Sequence, residues 1–158
     1  MIYVNARAII QRVSNNEEQV LVQIRDKPGE KNWYELPGGQ IEPFEPLLEA
    51  LKREVREETG LEIVSITGEE KRVVTSNEGG FTVECLKPFA CYQTLRGPVD
   101  SLGLYFLCEA QGNLTREGDF AKEAKWINKN DLMKLIMSDG QFSDIDKAGV
   151  QFYLDYKN

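Results

Sequence analysis

The sequence predicts an α/β fold in which helices cover both faces of a mixed sheet, an α/β/α sandwich. Three observations predict it. Residues 3–26 hold two β-rich runs around a turn, one amphipathic helix occupies the middle of the chain, and strand-like segments resume before a helical C-terminus. With 158 residues, the chain is long enough for one domain with a sizeable core and too short for two of ordinary size. One domain spanning 1–158 is expected.

Taken in order, YVNARAIIQRV (3–13) and QVLVQIRD (19–26) flank the turn-forming SNNEE and read as a hairpin. DKPGEKN (26–32) is a loop. WYEL (33–36) is a short strand stopped by Pro37, Gly38 and Gly39. From about Pro46 to Thr59 the pattern is helical, with Gly60 as the stop. LEIVSITGEEKRVVTS (61–76) and FTVECLKPFACYQTL (81–95) read as strands, and Phe81, Phe89, Tyr92, Tyr105 and Phe106 are expected in the sheet core. RGPVDSLG (96–103) is turn-rich and leads into the apolar strand LYFLCEA (104–110). After the polar stretch 111–120 come a short strand, AKWI (124–127), and helices near Asp131–Met137 and Asp144–Tyr156. There is no internal repeat and no low-complexity tract.

Composition narrows the chemistry. The chain is 41% hydrophobic and 28% charged, as soluble globular proteins are. It lacks a basic-then-apolar start and any apolar run near the ~20 residues that span a bilayer, so no membrane association is expected. Cys85, Cys91 and Cys108 are odd in number and show no C-x-x-C spacing, which disfavours a disulfide framework or zinc site. A cytoplasmic location is expected. A net charge of −7 argues against a nucleic-acid partner. The chain has no histidine, so acid–base chemistry must come from carboxylates, Lys, Tyr, Cys or a metal-bound water.

The stretch REVREETG (53–60) places Glu54, Glu57 and Glu58 within five residues. On a wheel of about 100° per residue with Leu47 at zero, Leu51, Val55 and Leu48 fall at about 40°, 80° and 100° and form the apolar stripe. Lys52, Arg56, Glu49 and Arg53 make a mixed-sign solvent face at about 140° to 240°. The three acids sit apart from it, running into the edge of the apolar stripe. A solvated charge run would belong on the solvent face. Two unit charges about 4 Å apart repel by roughly 4 kcal/mol at an effective dielectric near 20. Partly buried carboxylates of this kind need protons or a cation, and oxygen clusters suit Mg²⁺ or Mn²⁺. LPGG (36–39) feeds directly into this helix and permits close approach of backbone to a ligand.

LPGGQIEPFEPLLEALKREVREETGL resembles the Nudix box, G-x5-E-x7-R-E-U-x-E-E-x-G-U with U aliphatic. Gly39, Glu45, Arg53, Glu54, Val55, Glu57, Glu58, Gly60 and Leu61 fill every defined position. Pro43 and Phe44 replace the small residues common before Glu45, at unspecified positions. The resemblance implies a Nudix-type α/β/α sandwich and divalent-cation hydrolysis of a diphosphate linkage in a nucleoside diphosphate joined to another group. ADP-ribose-like compounds and (d)NTPs are the expected substrates, and a nucleotide-sensing domain without catalysis is the alternative. By the match, Glu54, Glu57 and Glu58 hold the metal with the Gly38 carbonyl, Arg53 orients the glutamates, and Glu45 supports the loop–helix junction. The general base is either a box glutamate or a late-loop acid, Glu117, Asp119 or Glu123, which otherwise read as solvated loop acids. Arg25 is a phosphate contact or a surface ion pair. Of Trp33 and Tyr34, one faces the core and the other is placed to stack on a base, and Gly38 and Gly39 line the substrate. A homodimer is left open.

Overall fold

Side-chain alternation along the first strand sets the layering. In β1 (Tyr3–Ser14), Ala6, Ala8 and Ile10 point to one face and Arg7 and Ile9 to the other. All five are buried, so both faces of the strand must be covered. The computed structural model describes residues 1–115 and 117–157. A turn with Asn15 and Asn16 at φ 52° and 62°, the left-handed backbone that tight hairpins need, leads to β2 (Glu17–Arg25). There follow β3 (Tyr34–Glu35), β4 (Gly38–Gln40), α1 (Leu47–Thr59), β5 (Glu62–Ile66), a 3-10 turn (Glu69–Lys71), β6 (Val73–Ser76), β7 (Thr82–Cys85), β8 (Ala90–Gln93), β9 (Ser101–Gln111), β10 (Glu117–Gly118), β11 (Ala121–Asn128), α2 (Lys129–Met137) and α3 (Lys147–Lys157).

The main sheet runs β10-β11-β2-β1-β9-β5, with β3 added to β2, β4 to β1 and β8 to β9. It is mixed, because β1 and β9 are parallel while their other neighbours are antiparallel. On one face Leu51 and Val55 of α1 pack with Ala6, Ala8, Ile10, Leu21 and Phe106. On the other, Leu132 and Ile136 of α2 and Val150, Tyr153 and Leu154 of α3 cover Ile9, Val20, Val22 and Leu107. The α/β/α layering expected from the sequence is present.

Two expected strands are shorter than the apolar pattern suggested. The run 61–76 breaks at Gly68, whose φ of 91° starts the 3-10 turn, and only 62–66 joins the sheet. The run 81–95 breaks at Pro88, which cannot donate to a ladder and restricts Lys87 before it. Its first half pairs with β6 as a separate hairpin. Phe81 sits at that hairpin and is exposed, whereas Tyr92, Tyr105 and Phe106 are buried as expected and Phe89 is partly buried. β9 and β11 each begin three residues before their expected starts, at Ser101 and Ala121.

One feature of the sheet creates the site. β1 and β2 pair only through Gln11–Ser14 with Glu17–Val20. Ahead of that they splay: β4 pairs β1 at Asn5–Arg7, and β3 pairs β2 at Gln23 and Ile24. Leu36 and Pro37 cross from one arm to the other, and the gap they bridge holds polar side chains.

Candidate active site

The crossing turn and the C-terminal half of α1 meet over this gap. Gly38 has φ 145°, and a Cβ there would lie 2.3 Å from the Ala6 carbonyl oxygen, so only glycine fits against β1. Its N–H donates to Glu58 Oε1 at 2.8 Å, and Gln23 Nε2 donates to Glu58 Oε2 at 3.0 Å. A Cβ on Gly39 would lie 2.6 Å from Glu54 Cδ. Gly38 therefore lets the turn sit against β1 with its N–H on Glu58, and Gly39 lets the Glu54 carboxylate approach the backbone closely. Glu45 Oε1 accepts from the Glu42 N–H at 3.0 Å and closes the loop before α1.

Arg53 organises the remaining acids. Its Nε and one terminal nitrogen donate to the two oxygens of Glu45 at 2.8 and 2.9 Å, a bidentate pair. The other terminal nitrogen donates to Glu54 at 2.7 Å and Glu57 at 3.4 Å. The sequence wheel placed the acids at the edge of the apolar stripe, and their burial is graded accordingly: Glu58 is buried, Glu54 is intermediate and Glu57 is exposed. Burial pushes Glu58 well above the ordinary carboxylate range, and the charge of Glu35 adds to this against the Gly38 hydrogen bond. Burial likewise raises Glu54, with Arg53 opposing. Arg53 holds Glu45 down at about 2. Acids in the last turn of a helix also work against its macrodipole, so this arrangement costs stability unless a cation compensates.

The gap beneath holds a second charged group that sequence reasoning missed. Arg7 lies 3.5 Å from Glu35 and 3.7 Å from Asp146. All three are buried. Burial pulls the guanidinium down, but Asp146 and Glu35 outweigh it and keep it charged. Burial raises Glu35 despite Arg7. The available signal was an arginine set inside the apolar run ARAII of β1.

The late-loop acids separate. Gly118 packs onto the end of α1, where a Cβ would meet the Glu58 carbonyl oxygen at 2.2 Å, and the Asp119 N–H donates to the Glu57 carbonyl at 3.1 Å. Glu117 and Asp119 thus flank the glutamate helix. Glu123, at φ 50°, lies where the β11 register with β2 shifts, an irregularity of the kind that re-aims side chains. It lines a cavity of about 260 Å³ with Ile24, Lys31, Trp33, Tyr34 and Lys122. Tyr34 packs against the α2/α3 core and carries Lys125 Nζ 4.7 Å above its ring. Trp33 Nε1 is buried without a hydrogen-bond partner. Arg25 pairs with Glu30 at 2.6 Å and reaches to 3.9 Å from Glu35.

As they stand, no three acids or cysteines among the described residues converge to ligate a metal. The Arg53 guanidinium binds both Glu54 and Glu57. The donor set nevertheless suits Mg²⁺ or Mn²⁺: it is all oxygen, a carboxylate has about four lone-pair sites, and Glu58 uses only two of them. No described helix is long and apolar enough to cross a membrane.

A model of the NUDIX domain matches residues 4–144. YtkD of Bacillus subtilis, named for 8-oxo-dGTP diphosphatase activity, is 36% identical over 100 residues, covering 58% of this chain and 59% of that protein. The match therefore spans less than two thirds of that relative. An ADP-ribose pyrophosphatase of Methanocaldococcus jannaschii is 28% identical over 159 residues, covering 99% of this chain and 78% of the relative. A MutT NUDIX hydrolase structure from Burkholderia pseudomallei aligns with a TM-score of 0.63 at 17% identity, over 98% of this chain and 97% of that one. At that identity the likeness is one of fold.

Proposed function

The chain belongs to the Nudix hydrolase family, and on that premise we propose that it hydrolyses the diphosphate linkage of a nucleoside diphosphate derivative with the help of Mg²⁺ or Mn²⁺. Residues 1–158 act in this reading as one catalytic domain. An ADP-ribose-like compound or a (d)NTP is the substrate class, in keeping with the activities for which the two curated relatives are named. The observation that carries the reading is the pair of carboxylates on α1, Glu58 hydrogen-bonded to the Gly38 N–H and Glu54 packed on Gly39, both raised by burial.

Glu54, Glu57 and Glu58 would hold the cation with the Gly38 carbonyl. Bound there, it would offset the diphosphate charge and lower the pKa of a water. Arg53 keeps Glu54 and Glu57 oriented and ties them to Glu45, which fixes the loop entering α1. Gln23 and the Gly38 N–H fix both oxygens of Glu58, so its rotamer is set before substrate arrives. The base is a box glutamate or a late-loop acid, and among the latter Glu117 and Asp119 are favoured over Glu123, because Gly118 between them packs on the last turn of α1 whereas Glu123 lines the cavity beside Trp33. Arg25 takes a phosphate by exchanging Glu30 for it. With Tyr34 packed on the core, the cavity beside it offers the Trp33 ring and the cations Lys31 and Lys122, set against the single carboxylate of Glu123, to an anionic, planar ligand.

A panel of ADP-ribose, 8-oxo-dGTP and ordinary (d)NTPs, assayed with Mg²⁺ and with EDTA, tests the proposal. Turnover of at least one compound that EDTA abolishes is the expected result. Turnover of none, with tight binding of one, would instead assign the chain to nucleotide sensing.

A further inference from the structure

The turn that brings Gly38 to Glu58 is gripped two residues earlier by side chains outside the motif. The Leu36 N–H donates to Asp146 Oδ2 at 3.0 Å, and its carbonyl accepts from Arg7 at 3.0 Å. Both polar atoms of one residue are thus held by buried charged groups, and such charge-assisted bonds are stronger than neutral ones. Asp146 is itself fixed, because Oδ1 accepts from the Tyr105 hydroxyl at 2.9 Å. From Leu36 the orientation passes through Pro37, whose ring fixes φ and whose carbonyl accepts from the Ala8 N–H at 2.8 Å. Gly38 follows, with its N–H on Glu58.

Stability alone does not account for this group. Buried ion pairs seldom outdo apolar packing of the same volume. This one also leaves Arg7 Nε and Glu35 Oε1 buried without hydrogen-bond partners. What the arrangement delivers is a fixed backbone at the point where the chain crosses between the two splayed arms of the sheet.

We propose that Asp146, acting with Arg7, is a positioning residue for the hydrolysis: it fixes the Leu36 peptide so that the Gly38 N–H holds Glu58 in its working orientation. The inference rests on the function proposed above. It makes the segment entering α3 part of the active-site framework, although Asp146 touches no reacting group and lies beyond the residues matched by the family model.

Two readouts test it, one independent of activity. In Asp146→Ala, kcat for ADP-ribose and 8-oxo-dGTP with Mg²⁺ should fall about tenfold or more while KM stays within about threefold, since small misplacements of reacting groups act on kcat. Amide hydrogen exchange at Gly38 should accelerate although Asp146 does not touch that N–H. Asp146→Asn should recover most of kcat and of the Gly38 protection, because its side-chain oxygen still accepts from Leu36. Wild-type kcat in folded Asp146→Ala, unchanged Gly38 exchange, or an Asn variant as impaired as Ala would each overturn the proposal. If Asp146→Ala does not fold, Tyr105→Phe takes its place, with a smaller loss of kcat and faster Gly38 exchange expected and wild-type values for both counting against the idea. A wild type that hydrolyses no compound of the panel above would sink the functional reading, and the exchange data would still decide whether Asp146 sets Gly38.

Discussion

Burial raises the carboxylates of Glu58 and Glu54, and substitutions at these side chains and their neighbours should be felt in turnover. Glu57→Gln and Glu58→Gln should each lower turnover by orders of magnitude with the fold intact by circular dichroism. Either variant at near wild-type rates in saturating Mg²⁺ would remove that glutamate from the site. Arg53→Ala should cost about 10–100-fold in activity or metal affinity, the usual effect of losing a residue that orients ligands. Equal activity and equal metal affinity would contradict its orienting role. Glu45 supplies a pH test. Its carboxyl is held down at about 2 by Arg53, against an ordinary value near 4.5. A lowered carboxylate stabilises the fold above its unfolded pKa, and that contribution is lost as pH falls toward the folded value. The melting-temperature gap between wild type and Glu45→Gln should therefore be steady near neutrality and close between about pH 4.5 and 2. A gap independent of pH would show that Glu45 acts through packing alone.

The elements depend on contacts that cross between them. Helix α1 opens at Pro46 without a side-chain cap of its own. Glu84 of the β6–β7 hairpin accepts from the Leu47 N–H at 3.2 Å and is itself held by Arg72 at 2.7 Å. A hairpin outside the main sheet thus satisfies an orphan donor at the start of the glutamate helix. Glu84→Ala should cost about 0.5–2 kcal/mol, as loss of a helix cap does. For a domain of this size each kcal/mol lowers the midpoint by roughly 2–4 °C. A midpoint unchanged from wild type would show that water replaces the cap. The same logic holds at the other end of α1, where Gly118 packs so closely that a Cβ would meet the Glu58 carbonyl.

Across the whole molecule, the net charge of −7 and the acidic arc on α1 both oppose the compact state, and a bound cation should relieve them. A ligand binding only the folded form at one hundred times its dissociation constant adds about 2.7 kcal/mol, or several degrees in midpoint on the scale just given. Millimolar Mg²⁺ or Mn²⁺ should raise the melting temperature and Na⁺ at matched ionic strength should not, because the matched salt supplies the same Debye screening and so isolates the effect of binding. Replacing Glu54, Glu57 and Glu58 together by Gln should stabilise the metal-free protein and abolish the response. An equal rise with Na⁺, or a metal response that survives the triple replacement, would leave the three glutamates as charges on a helix.

The sequence by itself determined the layering, the glutamate helix and the arc of acids on it, because these follow from local periodicity: two-residue alternation in β1 and the 100° step in α1. It also carried Gly38 and Gly39, since close backbone approach leaves glycine little alternative. Pairing was not local, and there the sequence misled. The runs 61–76 and 81–95 have strand composition throughout, yet Gly68 and Pro88 divided them and only some pieces found a partner in the sheet. The splay of β1 from β2 was likewise decided by which short strand each arm acquired, and no residue of either strand announces it. For the same reason Gln23, Arg7 and Asp146 were invisible as parts of the site. Gln23 and Asp146 read alone as ordinary polar residues, Arg7 shows only as a charge within an apolar run, and Asp146 stands 110 positions from the Leu36 N–H that donates to it. Only folding brings buried charges that far apart in the chain into one low-dielectric gap, where each must find its partners in the others.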